Sequence, residues 1–141
     1  MGYQEVPHTA DWALRVWAGS LPELFIEAAR GMYALAGAQA EEASAPPHAS
    51  GTAREFEVQG PDAEALLVGF LSELLYAQEQ ENLLFEDFEI QITSGEMWRL
   101  SARAQSRRLR SLIKAIKAVT FHNLTIRQTE SGFETEIVFD V

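Results

Sequence analysis

Two stretches at opposite ends of the chain carry the residue types best suited to chemistry. Near the start, Val6-Pro7-His8-Thr9-Ala10-Asp11 sets an imidazole, a hydroxyl and a carboxylate just ahead of an alternating segment. At the far end, Phe139-Asp140-Val141 offers a second carboxylate beside the α-carboxylate of Val141. Mg²⁺, Ca²⁺ and Mn²⁺ prefer oxygen ligands. Asp11, Asp140 and Val141 are therefore a candidate all-oxygen site for a divalent cation, provided the fold brings the two ends together. The plainer alternative is a solvated Asp before a strand and a frayed terminus. His8 or His122 with Asp11 or Asp140 would also make a general acid–base pair, since imidazole titrates near neutrality and a carboxylate can orient it.

Other chemistries are excluded. The chain has no cysteine, so it has no disulfide, thiolate ligand or thiol nucleophile. It contains no Gly-rich phosphate loop, no His-Glu-x-x-His and no Gly-x-Ser-x-Gly elbow. Twenty-one acidic residues against eleven basic ones give a net charge of −10, which argues against gripping nucleic acid through a broad basic surface. The basic residues are nevertheless clustered: Arg103, Arg107, Arg108, Arg110, Lys114 and Lys117 crowd one segment. Such a run is either a solvated face or a docking patch for an acidic or phosphorylated partner. The hydrophobic fraction of 47% over 141 residues fits one soluble domain spanning 1–141. No leading apolar segment or long apolar run is present, and the expectation is a cytoplasmic protein.

The elements that must position these groups follow from periodicity. Trp12, Leu14, Val16 and Ala18 alternate as one face of a strand. Ser20-Leu21-Pro22-Glu23 is a capping box opening a helix with Leu24, Phe25, Ala28, Ala29, Met32 and Leu35 as its core stripe, and Gly37 stops it. Residues 37–52, including His48, read as a connector. A strand at Arg54–Gln59 and a long helix opened by Pro61 or Asp62 follow, the helix carrying the stripe Leu66, Leu67, Phe70, Leu71, Leu74 and Leu75. Alternation over Leu83–Thr93, the turn Ser94-Gly95-Glu96 and the return from Trp98 predict a hairpin. Leu109, Leu112, Ile113 and Ile116 sit at helical spacing, so 106–116 reads as a short helix or a loop. The apolar parity changes at His122-Asn123, which predicts a β-bulge aimed at a functional site. Phe133, Thr135, Ile137, Phe139 and Val141 form a last inward face, with Asp140 opposite. The expected fold is α+β, a mixed and mainly antiparallel sheet with both helices packed on one side.

Several of these stretches together resemble the archease family. They are His8-Thr9-Ala10-Asp11, Ser20-Leu21-Pro22-Glu23-Leu24-Phe25, the helix from Glu64 to Leu75, Lys117-Ala118-Val119-Thr120-Phe121-His122 and the closing Phe139-Asp140-Val141. The similarity runs over essentially the whole chain. It implies an accessory protein of the tRNA-splicing RNA ligase, the enzyme that joins a 2′,3′-cyclic phosphate or 3′-phosphate end to a 5′-hydroxyl. Such a protein promotes guanylylation of the ligase's active-site histidine and multiple turnover without ligating RNA itself. It also implies a divalent cation (calcium, magnesium or manganese) at Asp11 and Asp140 with oxygen from Val141, and His8, Lys117, Thr120 and His122 near the site or in contact with the partner. The chain departs from the pattern in one place: relatives often carry a Glu two positions before the Lys of the Lys-Ala-Val-Thr block, and here that position is Ala115, after a short basic segment from Arg107 to Lys114.

Two other classes compete. One is a small divalent-metal-dependent phosphoesterase using Asp11, Asp140 and His122 directly. The other is an RNA-binding or chaperone-like module working through residues 103–117. Oligomeric state, the particular cation and the RNAs concerned are left open by the residues alone.

Overall fold

The computed structural model describes residues 1–6, 12–42 and 52–141. His8, Asp11 and His48 lie outside the described residues.

Eleven elements are formed by the described residues. The order is β1 (Gly2–Val6), β2 (Trp12–Ala18), α1 (Leu21–Ala36), β3 (Gln39–Ala40), β4 (Ala53–Gly60), α2 (Ala63–Glu81), β5 (Leu83–Thr93), β6 (Trp98–Ser111), β7 (Ala118–Val119), β8 (Arg127–Thr129) and β9 (Gly132–Asp140). Helix α1 begins where its capping box predicts. Ser20 Oγ accepts from the Glu23 N–H at 3.3 Å and donates to the Glu23 carboxylate at 3.0 Å. It ends at Gly37, whose φ of 64° is the left-handed conformation that favours glycine. Asp62 caps α2, its carboxylate accepting from the Ala65 N–H at 2.8 Å, and Asn82 at φ 59° ends it.

The α+β class holds, with two helices and antiparallel sheets, but the strands divide between two sheets. Strands β1, β2, β9 and β7 form one, with β8 also on β9; β6 is the shared strand of the other, pairing with β3, β4 and β5. Every pairing among the described residues is antiparallel. Helix α1 packs on β1, β2 and β9 and also reaches β5, whereas α2 packs on β4, β5 and β6 and reaches β7. Both helices and both inner sheet faces therefore share one core. Phe25 stacks obliquely on Phe70 with centroids 6.0 Å apart, and Phe70 meets Phe88 edge-on at 5.7 Å, so the two helices and β5 are joined through aromatic contacts. Burying each such ring removes it from water at a gain of about 1.5–3 kcal/mol. Among the described residues, no helix is long and apolar enough to cross a membrane.

Two sequence expectations are corrected. The segment 106–116 contains no helix: β6 continues to Ser111, because β5 offers it a partner as far as the pair Leu83–Arg108. Beyond it, the Ile113 and Lys114 N–H groups both donate to the Ala36 carbonyl at 3.0 Å, satisfying the end of α1 instead of starting a helix of their own. Second, the parity change at His122 is a turn, not a bulge. Asn123 adopts φ 51°, the Leu124 N–H donates to the Phe121 carbonyl at 3.1 Å, and Phe121 is 61% exposed. A bulge does occur in β5, where the register shifts between Glu86 and Glu89 around Asp87 at φ 55°. Gly2–Val6 adds a strand for which the sequence reading has no counterpart, at the edge of the first sheet.

Candidate functional site

Strand β9 organises the site. It pairs with β2 in a register that sets Trp12 opposite Phe139, Leu14 opposite Ile137 and Val16 opposite Thr135. All of these but Trp12 are buried in the core. The sequence enforces this register, because a slip by one residue would turn Leu14, Val16, Ile137 and Phe139 out of the core together. Trp12 is half-buried, and Lys114 holds its ammonium 5.2 Å from the centre of the indole ring, a cation–π contact.

The other edge of β9 carries β7, where Ala118 pairs with Asp140 and Val119 with Phe139. The Lys117 N–H donates to the Asp140 carbonyl at 2.8 Å. Thr120 grips the Val138 carbonyl twice, from its N–H at 3.0 Å and its hydroxyl at 2.9 Å. The same hydroxyl oxygen accepts from the His122 N–H at 3.2 Å, and the Asn123 amide nitrogen lies 3.3 Å from His122 Nε2. Thr120 is thus the hinge-pin that fixes His122 to β9. His122, Asn123, Glu136 and Val138 line a small cavity of about 80 Å³. Alternation puts Glu136, Val138 and Asp140 on one face of β9, so His122 sits on the Asp140 side of that strand.

Of the seven residues singled out by sequence, Asp140, Val141, Lys117, Thr120 and His122 gather at this end of the first sheet. Asp140 is exposed and Val141 half-buried against the core. Asp11 and His8 fall outside the described residues. Among the described residues, no group of three or more His, Asp and Glu could by itself hold a metal ion. No hydrogen bond or ion pair among the described residues engages the Asp140 carboxylate, so its oxygens retain the donor chemistry that a hard cation needs.

Sequence reasoning missed two contributors. The Glu64 carboxylate, in the first turn of α2, accepts from the Ile126 N–H at 2.9 Å and ties the chain after His122 to that helix. Val138 is only 5% exposed although it stands on the outward face of β9. The signal was present in the pattern: an apolar residue between Glu136 and Asp140 implies that something covers it, and the 120–123 turn lies there.

The basic segment is not a continuous patch. Arg103 stands opposite Glu55 on one neighbouring strand and Glu89 on the other. Arg107 pairs with Glu86 at 3.0 Å and also donates to the Glu41 carbonyl at 2.7 Å, while Arg108 lies 4.0 Å from the Glu41 carboxylate. Carboxylates thus offset much of the positive charge that an RNA backbone would have to find.

The chain is 30% identical to the protein archease of Methanopyrus kandleri over the full length of both chains. It is 31% identical to that of Methanosarcina barkeri, covering 99% of this chain and 95% of that one, and 32% identical to that of Pyrococcus abyssi, covering 92% and 91%. The solution structure of Methanobacterium thermoautotrophicum protein 1598 superposes with a TM-score of 0.74 at 24% identity, covering 99% of each chain, and so shares the fold. The model of the Archease protein family (MTH1598/TM1083) matches residues 3–141. The chain belongs to the archease family and, as a member, is an accessory protein of RNA processing.

Proposed function

We propose that this protein activates an RNA-splicing ligase, promoting guanylylation of the ligase's active-site histidine and its multiple turnover, and that it performs no ligation itself. The proposed working part is a divalent cation, calcium, magnesium or manganese, held by Asp11, Asp140 and an oxygen of Val141. The observation that carries this reading is the pairing of Trp12 with Phe139. Asp11 precedes one of these residues and Asp140 follows the other, and in an antiparallel ladder those two chain directions leave from the same end. The Asp140 carboxylate, unengaged among the described residues, suits the ion. When bound, the cation supplies positive charge for phosphate oxygens. Thr120 holds His122 beside β9, and Lys117 is tied to Asp140 through the backbone, so both are available to partner or nucleotide at the same edge. A net charge of −10 suits a partner built to hold RNA, since opposite potentials speed encounter.

The test is single-turnover guanylylation of the ligase with and without this protein, beside Asp11→Ala and Asp140→Ala. Acceleration by wild type that both variants lose supports the reading. No acceleration by well-folded wild type would sink it. Divalent-dependent turnover of a phosphoester by this protein alone would replace it with the phosphoesterase reading.

A further inference from the structure

The turn that carries His122 also throws an aromatic ring into solvent. The large apolar side chains exposed among the described residues are Met1, Tyr3, Tyr76, Met97, Ile113 and Phe121. The tyrosines offer a hydroxyl to water, and the methionines are flexible chains. Ile113 lies against Gly37 at the end of α1, where an added Cβ would come within 2.7 Å of it. Phe121 has neither excuse. Its ring carries no polar atom, and the residue is 61% exposed.

Local structure forces this exposure. Val119 is buried and paired with Phe139, and in a strand that ran on, alternation would turn Phe121 inward after it. The chain turns instead, with Asn123 at φ 51° and the Leu124 N–H donating to the Phe121 carbonyl at 3.1 Å. Leu124 and Ile126 then pack against the core in its place. The fold thus forgoes at Phe121 the burial that stabilises Phe25, Phe70 and Phe139. The platform under the ring is fixed on both sides. Before it, Thr120 holds the Val138 carbonyl through its N–H and its hydroxyl. After it, the Thr125 carbonyl accepts from the buried Thr135 hydroxyl at 2.9 Å, and the Ile126 N–H donates to the Glu64 carboxylate at 2.9 Å. A segment already held in place loses little freedom when it docks.

We infer that Phe121 is the apolar anchor through which the ligase docks, its ring entering an apolar pocket of that enzyme with the exposed His122 and Asn123 as the polar surround. This rests on the proposed function and names the contact that carries the affinity. The occupant follows from continuity with the proposed cation site. Phe121 is the neighbour of His122, and Val119, two residues earlier, pairs with the residue that precedes Asp140. A partner brought to that edge meets the ring.

The experiment measures binding of the full chain to the ligase by titration calorimetry, and single-turnover guanylylation against the concentration of this protein. Wild type is compared with Phe121→Ala and Phe121→Leu. Since the ring is exposed, the urea midpoint should be unchanged in both variants. Phe121→Ala should weaken binding and raise the half-saturating concentration by about tenfold or more, with the rate at saturation kept. Phe121→Leu keeps an apolar side chain and should lose less. Asp140→Ala should do the opposite, losing the rate at saturation. The inference is overturned if Phe121→Ala binds as tightly as wild type, if its loss lies wholly in the rate at saturation, or if wild type does not bind the ligase. It is also overturned if Phe121→Ala instead breaks up a dimer that this chain forms without the ligase. A wild type that binds without accelerating refutes the proposed function alone, and the binding series still decides on Phe121.

Discussion

Gly132 offers a severe test of the packing. It starts β9 with φ of 147°, a conformation that L side chains rarely adopt. It also lies against the end of β2: a Cβ added there would collide with the Ala18 carbonyl oxygen and approach the Gly19 Cα to 2.7 Å and the Ala18 carbonyl carbon to 2.9 Å. These are backbone atoms, fixed by the pairing of Ala18 with Phe133, so no side chain can rotate away to make room. Gly132→Ala therefore meets two costs. Holding an alanine in so sparsely populated a conformation costs about 1–3 kcal/mol. Overpacking against a wall that does not yield costs about 1–3 kcal/mol more. A loss of about 2–6 kcal/mol is expected, against a typical stability of roughly 5–15 kcal/mol for a domain. With a urea m-value of about 2 kcal/mol/M, the unfolding midpoint should fall by about 1–3 M. Gly19→Ala is the matched control, because a Cβ there meets nothing within 4 Å, and its midpoint should barely move. A loss below about 1 kcal/mol at Gly132, with an unchanged m-value, would refute the close approach of the two strands.

Two other substitutions probe buried polar contacts. Tyr33 takes the Phe85 N–H on its hydroxyl oxygen at 3.1 Å, and burial raises its hydroxyl well above the ordinary value of 10.0. Its proton is held more tightly in the folded chain, so this contribution is whole below pH 10 and shrinks as the pH climbs past the unfolded value. Tyr33→Phe should lose about 1–3 kcal/mol at pH 7 by leaving that N–H unpaired, and its stability should fall less steeply than wild type above pH 10 in matched denaturant titrations; parallel slopes would contradict this. Thr120→Val should cost about 1 kcal/mol and change the amide shift and exchange rate of His122 while leaving the β2–β9 ladder protected; an unaltered His122 signal would show that Thr120 does not position it.

Much of the scaffold was legible because local rules and tertiary demands agree. Ser20 and Glu23 cap a helix wherever they stand, Gly37 takes a left-handed conformation that alanine resists, and the apolar alternation from Phe133 to Phe139 belongs to a strand whose inner face is buried. The failures fall where a partner far away in sequence decides the outcome. Leu109, Leu112, Ile113 and Ile116 are spaced as a helix, yet Leu109 is claimed by β6, paired with Ala40 and bonded to the Asn82 carbonyl, and Ile113 is 87% exposed beside the end of α1. Gly2–Val6 has little apolar alternation because it is an edge strand, exposed at its three central residues and held by its backbone pairing with β2. The His122 turn was mistaken for a bulge because both devices shift parity, and only the φ of Asn123 separates them. For the site, residue type and position pointed to Asp140 and His122, and the family resemblance to Lys117 and Thr120; that Thr120 joins His122 to the Val138 carbonyl has no signature in spacing.

The ladder between β2 and β9 joins residues 12–18 to residues 133–139, nearly the whole length of the chain. By contrast, β5 and β6 meet across a short hairpin and can pair as soon as both have been made. The edge at which Lys117, Thr120, His122 and Asp140 meet therefore cannot exist in a growing polypeptide until β9 has left the ribosome, nor in any proteolytic piece that has lost either strand. Whatever this surface does, it is performed only by chains whose synthesis has passed β9.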